Sequence, residues 1–353
     1  MNYFLQTQSW MNFWANYNKA GHQVYFFEES FLSCYVQEYP WRFGTKFWYI
    51  PKAPVIQSQA NLGQIPPAQI KKDLNNLYTK IIKQAKIQGA VFIKNDFDDT
   101  LTTRLGLFDN RELASFLGAI PALAEHKIQP GTKKIQYLEC TYCQLGYPNY
   151  GQASDSLQQF WDNSQLFWSN CNEQVRRYTR KALKDYNQGL YTINTDKTPE
   201  NFEAFWQVHR DTTLRQNFST QPKDYLKQFM NADFGRIITI RDAENKPMSV
   251  WLGVKMDDSL YYILGGNTDQ ALKSRTQYLL QLAAVRQARV ESCKYYDMGG
   301  YEAGSGYGQF KDGYKGTHRQ FLGPIDIVLD PIKYTATILA YNTVKSIKKI
   351  LGK

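Results

Sequence analysis

Long apolar runs are missing from this sequence. No stretch approaches the ~20 residues that a membrane span requires, so no transmembrane helix is expected. The N-terminus, MNYFLQTQSWMNFW, has neither a basic start nor a continuous apolar core, which argues against a secretory signal. Histidine is scarce: His22, His126, His209 and His318 are the four present, and none has metal-ligand spacing. Cysteine numbers five. Cys140 and Cys143 form a single Cys-x-x-Cys, which a zinc site would have to complete with a second pair or with nearby histidines. No metal is therefore expected, and reduced thiols in a cytoplasmic protein are the default. There is no Gly-x-Ser-x-Gly elbow with Ser-His-Asp partners and no Walker lysine loop. No strand carries the dinucleotide fingerprint ahead of a helix, so no cofactor is expected.

What the chain does have is size, aromatic content and positive charge. At 353 residues it is long enough for two domains. Aromatic residues make up 15%, enough for substantial cores and stacking surfaces. The net charge of +10 favours an anionic partner: a nucleic acid, a nucleotide or an acidic membrane surface.

In chain order, residues 8–19 read as a first helix, with Trp10, Phe13, Trp14 and Tyr17 at helical spacing and Gly21 ending it. Three short strands follow at 24–28, 32–38 and 47–50. Ile70, Leu74, Leu77 and Ile81 make the stripe of an amphipathic helix that ends at Gly89. Residues 90–93 are the next strand, and Asn95, Asp96, Asp98 and Asp99 crowd its end, either as helix caps or against a ligand. A helix over 112–117 and an extended segment over 134–140 follow. The Gly-, Pro-, Asn- and Ser-rich run from Gly146 to Ser156 reads as a domain junction.

The second half repeats the plan. Expected are a helix over 157–180 that breaks near Asn170, a strand at 190–193, and helices at 199–214 and 222–230. Strands at 236–241, 248–256 and 260–264 come next, then one long helix over 270–288 and a strand at 295–298. Two copies of an α/β unit with mixed sheets are implied. The tail, 334–353, is a basic amphipathic helix that either docks on its own protein or lies on an anionic membrane surface.

Three constellations carry possible chemistry. Arg176, Arg177, Arg180, Lys181 and Lys184 crowd one helix; they repel one another unless an anion such as phosphate lies close, and a solvated helix face is the alternative. Thr212 and Arg215 end a helix, where Arg215 either clamps a phosphate or carboxylate or complements the helix dipole. Phe310-Lys311 leaves a glycine run (Gly304, Gly306, Gly308) that follows the Tyr295 strand. A lysine ammonium fixed there suits an acyl transfer that passes through an oxyanion, and a surface lysine is the alternative.

The order Tyr296-Asp297-x-Gly299-Gly300, Phe310-Lys311, Gly313 and Asp330-Pro331-x-x-Tyr334 resembles the Fem family of non-ribosomal aminoacyltransferases. Gln8-Ser9-Trp10, Tyr49-Ile50-Pro51-Lys52-Ala53-Pro54, Gln129-Pro130 with Thr132, the basic helix, Thr212 with Arg215 and Phe218, and Tyr261-Tyr262 with Gly265-Gly266 extend the resemblance over most of the chain. It implies two tandem acetyltransferase-like (GNAT-like) domains without a coiled-coil arm: 1–150 with 322–353 returning to it, and 151–321. It also implies that Phe310 and Lys311 match the catalytic pair. Arg215 then matches an arginine on the diphosphate of a nucleotide-linked precursor, and Tyr262 an aromatic lining that groove, with Thr212 beside them. The sequence departs from the family at two places. Met11-Asn12-Phe13-Trp14 stands where a phosphate-binding lysine is found, with Lys19 only later. Lys94-Asn95-Asp96 replaces an arginine-aspartate-proline, so that Asp96 takes the aspartate's place.

The expected activity is transfer of an amino acid from aminoacyl-tRNA to an amine of a UDP-linked or lipid-linked peptidoglycan precursor. The basic helix would engage the tRNA, and the protein would act as a cytoplasmic monomer, with or without peripheral contact with the inner membrane surface. Two other readings stand beside it: an N-acyltransferase with another donor or acceptor, and a non-catalytic tRNA- or membrane-binding module. Residues 267–277 contain no glycine, which argues against the pyrophosphate loop of a CoA enzyme.

Overall fold

A computed structural model describes residues 4–17, 22–41, 44–57, 65–131, 139–145 and 156–350, without the side chains at 341–342 and 344–350. The expected segment at 134–138 and most of the expected junction, 146–155, lie outside the described residues.

The first helix, α1 (Gln8–Tyr17), is followed by strands β1 (Val24–Glu29), β2 (Leu32–Pro40), β3 (Lys46–Ile50) and β4 (Val55–Ile56). Helix α2 (Pro67–Ile87) starts with proline at its first position, where no intrahelical N–H is needed. Its stripe Ile70, Leu74, Leu77 and Ile81 is fully buried. Strand β5 (Ala90–Asp96), helices α3 (Asp99–Arg104) and α4 (Asn110–Gly118), and strand β6 (Lys127–Pro130) follow. Asp98 and Asp109 cap α3 and α4 by accepting backbone N–H groups, which is the capping alternative for the acidic run.

The second half begins earlier than the expected junction, with strand β7 (Glu139–Gln144). The helix expected over 157–180 is three: α5 (Leu157–Asn163), α6 (Gln165–Asn170) and α7 (Glu173–Asn187). Ser164 turns its hydroxyl back to the Phe160 carbonyl, and Asn172 caps α7 by accepting the Val175 N–H, so both breaks have local hydrogen-bond causes. Strand β8 (Tyr191–Asn194), helices α8 (Pro199–Gln216) and α9 (Lys223–Asn231), and strands β9 (Gly235–Asp242), β10 (Pro247–Met256) and β11 (Ser259–Asn267) follow. The single helix expected over 270–288 is two, α10 (Asp269–Ser274) and α11 (Thr276–Val290), parted by Arg275 in the left-handed region at φ 68°. Strand β12 (Tyr295–Gly300) then leads to helix α12 (Gly306–Asp312) and strand β13 (Thr317–Gln320). The chain ends with strand β14 (Pro324–Val328) and helix α13 (Pro331–Ile350).

Two compact units result, Glu139–Arg319 and Asn2–Leu138 with Gln320–Lys353. In the first domain the sheet order is β1-β2-β3-β5-β14-β6, with β4 on β2. In the second it is β13-β7-β12-β11-β10-β9-β8. Each sheet has a parallel join, β3 with β5 and β11 with β12, made by a helical crossover from an antiparallel meander. Beyond the join, a strand from elsewhere in the chain pairs antiparallel, β14 with β5 in the first sheet and β7 with β12 in the second. The repeated order read from the sequence is this shared plan. Trp48, Tyr78 and Leu74 centre the first core, and Trp251, Phe160, Trp168 and Tyr296 the second. Tyr334 of α13 is buried edge-on against Phe92 at 5.2 Å, so the start of the tail helix docks on the first sheet.

Candidate functional site

The second sheet opens where its parallel strands stop pairing. The β11–β12 ladder runs from Ser259/Tyr295 to Tyr261/Asp297 and goes no further. Immediately beyond, Gly299 takes φ 78°, and a Cβ there would lie 2.8 Å from the Tyr262 carbonyl oxygen. Glycine is required on both counts. Asp297 is fully buried and accepts the Gly299 N–H on Oδ1 at 2.7 Å. Burial raises its carboxyl above the ordinary aspartate range.

The glycine run leads into a helix: Gly304 precedes the cap residue Ser305, and Gly306 and Gly308 lie in the first turn of α12. Ser305 Oγ accepts the Gly308 N–H at 2.9 Å. A Cβ at Gly308 would meet the Glu302 carbonyl oxygen at 2.1 Å, so this glycine lets the helix turn back close to its own lead-in. Helix α12 presents Phe310 and Lys311 together. Phe310 packs edge-on against Tyr278 of α11 at 5.1 Å and Tyr314 at 5.4 Å. Lys311 Nζ donates to the Gly300 carbonyl and lies 5.4 Å from the centre of the Tyr307 ring. Burial lowers its amine to about 8, against the opposing pull of Asp297 and Cys140. The lysine is thus pinned at the end of β12 rather than loose on the surface.

The flanking residues tie α12 to the sheet. Tyr301 donates to Asp312 Oδ2 at 3.2 Å. His318 on β13 reaches Glu139 at 3.1 Å and Asp312 at 3.5 Å, and meets the Tyr301 ring edge-on at 4.2 Å.

Three other site residues lie along α8 and β11. Tyr262 packs against Trp251 at 6.2 Å, and burial pushes its phenol up to about 12. Thr212 Oγ1 donates to the Val208 carbonyl at 2.8 Å and accepts the Asn267 N–H at 3.2 Å, which joins α8 to the end of β11. Arg215 bonds Asp269 at 2.8 Å and the Asn267 carbonyl at 2.9 Å. Its guanidinium is therefore not an open clamp awaiting an anion: it spans from α8 to the start of α10.

Of the cations on α7, Arg176 donates to the Cys171 and Ser169 carbonyls and closes the end of α6. Lys181 pairs with Asp185 at 2.8 Å. Arg177 lies 4.8 Å from the Tyr178 ring centre, and Arg275 lies at the same distance from that ring. Tyr178 also touches Tyr278 at 5.2 Å, so the cationic helix is linked through two aromatic rings to Phe310. Arg180 and Lys184 are exposed and have no ion-pair partner among the described residues. Sequence reasoning missed Arg275; five consecutive polar residues, Lys273 to Gln277, were the signal that the expected long helix breaks there.

Asp96 belongs to the first domain. It accepts a 2.5 Å hydrogen bond from the Tyr49 hydroxyl, and burial raises its carboxyl despite Lys52 and Lys94 nearby. Lys94 pairs with Asp326 at 2.5 Å, and Lys52 Nζ lies 3.5 Å from the centre of the Phe321 ring. This is a buried network in which each charge faces an opposite charge or a ring face. Among the described residues no group of three or more His, Cys, Asp or Glu side chains is arranged to hold a metal, and no helix is long and apolar enough to cross a membrane. A groove of about 420 Å³ on the second domain is lined by Glu200, Glu203, Trp206, Arg210 and Lys223 among others; none of the site residues lines it.

Residues 169–315 match the acetyltransferase (GNAT) domain family. No curated protein matches the chain. Among solved structures, FemX is 14% identical, covers 95% of this chain and 94% of its own, and superposes with a TM-score of 0.69. A conserved protein of unknown function from Bacteroides thetaiotaomicron is 9% identical over 91% of this chain and 89% of that one, with a TM-score of 0.52. The C-terminal domain of a protein designated a lysylphosphatidylglycerol synthetase from Agrobacterium fabrum is 10% identical over 92% and 89%, with a TM-score of 0.50. At such identities the likeness is one of fold. The chain is therefore a two-domain α/β protein with the fold of FemX, and its second half carries a GNAT domain of the acyltransferase type.

Proposed function

We propose that this protein is an aminoacyltransferase that moves an amino acid from aminoacyl-tRNA to an amine of a peptidoglycan-precursor stem peptide. The observation that carries the reading is Lys311, a half-buried amine pinned to the Gly300 carbonyl where β11 and β12 stop pairing, with Phe310 beside it. The resemblance to the Fem family supplies the donor and acceptor, and the fold shared with FemX is consistent with both.

The acceptor amine, once free of its proton, attacks the ester carbonyl of the donor. The C–N bond forms as the carbonyl π electrons move onto oxygen. The attacking nitrogen sheds a proton, the tetrahedral intermediate collapses, the C–O bond to the tRNA ribose breaks, and that oxygen takes up a proton, so that the proton count balances. The Lys311 ammonium opposes the negative charge on the carbonyl oxygen between these steps. Such a charge acts without a covalent enzyme intermediate. Arg177, Arg180 and Lys184 on α7 offer positive charge to the tRNA backbone, Lys181 being paired with Asp185. Tyr262 and Arg215 stand at the acceptor side; Arg215 must exchange Asp269 for a diphosphate to serve there. The glycine-free stretch at 267–277 disfavours acyl-CoA as the donor.

The test is transfer itself. The protein is incubated with mixed charged tRNA and with both UDP-linked and lipid-linked precursors, and acceptor mass is read. A gain of one or more amino-acid residue masses identifies reaction, amino acid and acceptor. Lys311→Met should lower the rate by about 10²-fold or more while leaving the circular dichroism spectrum unchanged; full activity in that variant removes Lys311 from the mechanism. No gain in mass with precursor binding intact points to an acyl-CoA donor instead, and no gain with no binding points to a non-catalytic module.

A further inference from the structure

The transfer proposed above needs Lys311 to carry its proton, and the fold works against that. A half-buried ammonium whose hydrogen-bond partner is a neutral carbonyl is disfavoured relative to the free amine. Something close by must offset the loss of solvation. Cations and anions around the site narrow the choice. Glu302 is committed to the Tyr307 hydroxyl at 2.9 Å. Asp312 and Glu139 face His318.

Asp297 is different. It is fully buried on β12, the strand whose last residue, Gly300, accepts the Lys311 hydrogen bond. One carboxylate oxygen takes the Gly299 N–H at 2.7 Å. The other, Oδ2, is buried with no hydrogen-bond partner among the described residues. The groups that face this carboxyl come from every neighbouring element: Cys140 and Cys143 on β7, Tyr261 on β11, Tyr296 on β12 itself, Arg319 on β13 and Lys311 on α12. The Cys140 thiol hydrogen-bonds the carboxyl, and the cations that favour its charged form are Arg319 first and Lys311 second.

We propose that Asp297 is a positioning residue for the transfer: its buried carboxylate keeps Lys311 charged on the Gly300 carbonyl, facing the place where an oxyanion develops. The inference rests on the reading of Lys311 given above and adds the group that keeps this lysine competent. Asp297 touches no substrate in this arrangement. The Gly299–Gly300 turn gives the strand its role: Gly299 folds its N–H back onto the carboxylate, and Gly300 turns its carbonyl to the ammonium. One short segment therefore holds both members of the pair.

The experiment reads Lys311 directly. Full-length wild type and Asp297→Asn are trace-labelled with acetic anhydride across a pH series, and the labelled fraction of Lys311 is read by peptide mass spectrometry. Asparagine keeps an oxygen for the Gly299 N–H and removes the charge. In the wild type the labelling midpoint should lie near about 8. In Asp297→Asn it should fall by about one pH unit or more. An unmoved midpoint overturns the inference. Transfer measured on the same samples keeps the two readings separate. A lowered midpoint with a lowered rate at neutral pH, regained in part on acidification, supports both. A lowered midpoint with an unchanged rate supports the coupling and overturns the catalytic reading of Lys311. Should Asp297→Asn fail to fold, Lys311→Met gives the same information from the other side. Its stability deficit against wild type should grow as pH rises through the range in which Asp297 ionises, because the carboxylate then keeps Arg319 but loses the Lys311 charge. A deficit independent of pH in that range overturns the inference.

Discussion

Lys311 has two pH limits that act in opposite senses. Its amine sits near 8 in the folded chain against an ordinary 10.5, chiefly through burial. Between these values the unfolded chain holds the proton and the folded chain has shed it, so this group's contribution to stability rises with pH across that window. The proposed transfer runs the other way, since the ammonium assigned to oppose the oxyanion disappears above about 8. The rate of transfer should therefore fall on the alkaline side with a midpoint near about 8, while thermal stability does not fall in step with it. Rate and melting profiles recorded on the same samples check this; a rate that stays flat well above that pH would mean the charge of Lys311 is not used. The pair Phe310-Lys311 was legible from its place after a strand and a glycine run. The state of the lysine was not, because it depends on the Gly300 carbonyl at the end of β12 and on the nearby Tyr307 ring, which the linear pattern does not bring together.

At the scale of elements, α7 was read as a helix crowded with cations, and those cations are divided in their partners. Arg176 is spent on the carbonyls that end α6, and Lys181 on Asp185. Arg180 and Lys184, with Arg177 on the Tyr178 ring, remain turned outward. Reversing Arg180 and Lys184 together to glutamate should weaken tRNA binding and lower the slope of log affinity against log salt by about 0.7–0.9 for each phosphate left without a cation. Arg176→Glu should act instead through stability, seen as a lower melting temperature. Equal effects of both changes on binding would show that the helix is not read in this divided way. The helix periods, the meander strands and the caps at Asp98 and Asp109 were legible because each is a local pattern. Two things were not. The break at Arg275 needs a left-handed residue that the apolar spacing conceals, and α12 was hidden because Gly304, Gly306 and Gly308 look like a loop until Ser305 is seen to cap them.

At the scale of the whole molecule, the first domain is discontinuous in sequence. Strand β14 lies between β5 and β6, and all five of its residues are buried. Removing residues 324–353 should therefore cost the first domain its cooperative unfolding, because β5 and β6 lose their shared partner and Lys94 loses Asp326. The second domain, Glu139–Arg319, keeps all the strands of its core. Limited proteolysis followed by intact mass should leave a fragment close to that span; degradation of both halves at equal rates would mean that the second domain does not hold by itself. The repetition of helix, strands and helix suggested two like units, and pattern alone revealed that much. Which strand completes which sheet depends on pairing between residues more than 150 positions apart, and no local pattern encodes that.

The placement of β14 also sets an order in time. A ribosome delivers the second domain complete before it delivers the strand that fills the first sheet. Until then the first domain waits with an open seam between β5 and β6, exposing the faces that Ile325 and Ile327 will cover. The N-terminal half of this protein is thus the last to mature, and its hazard during synthesis is capture of that seam by another nascent chain.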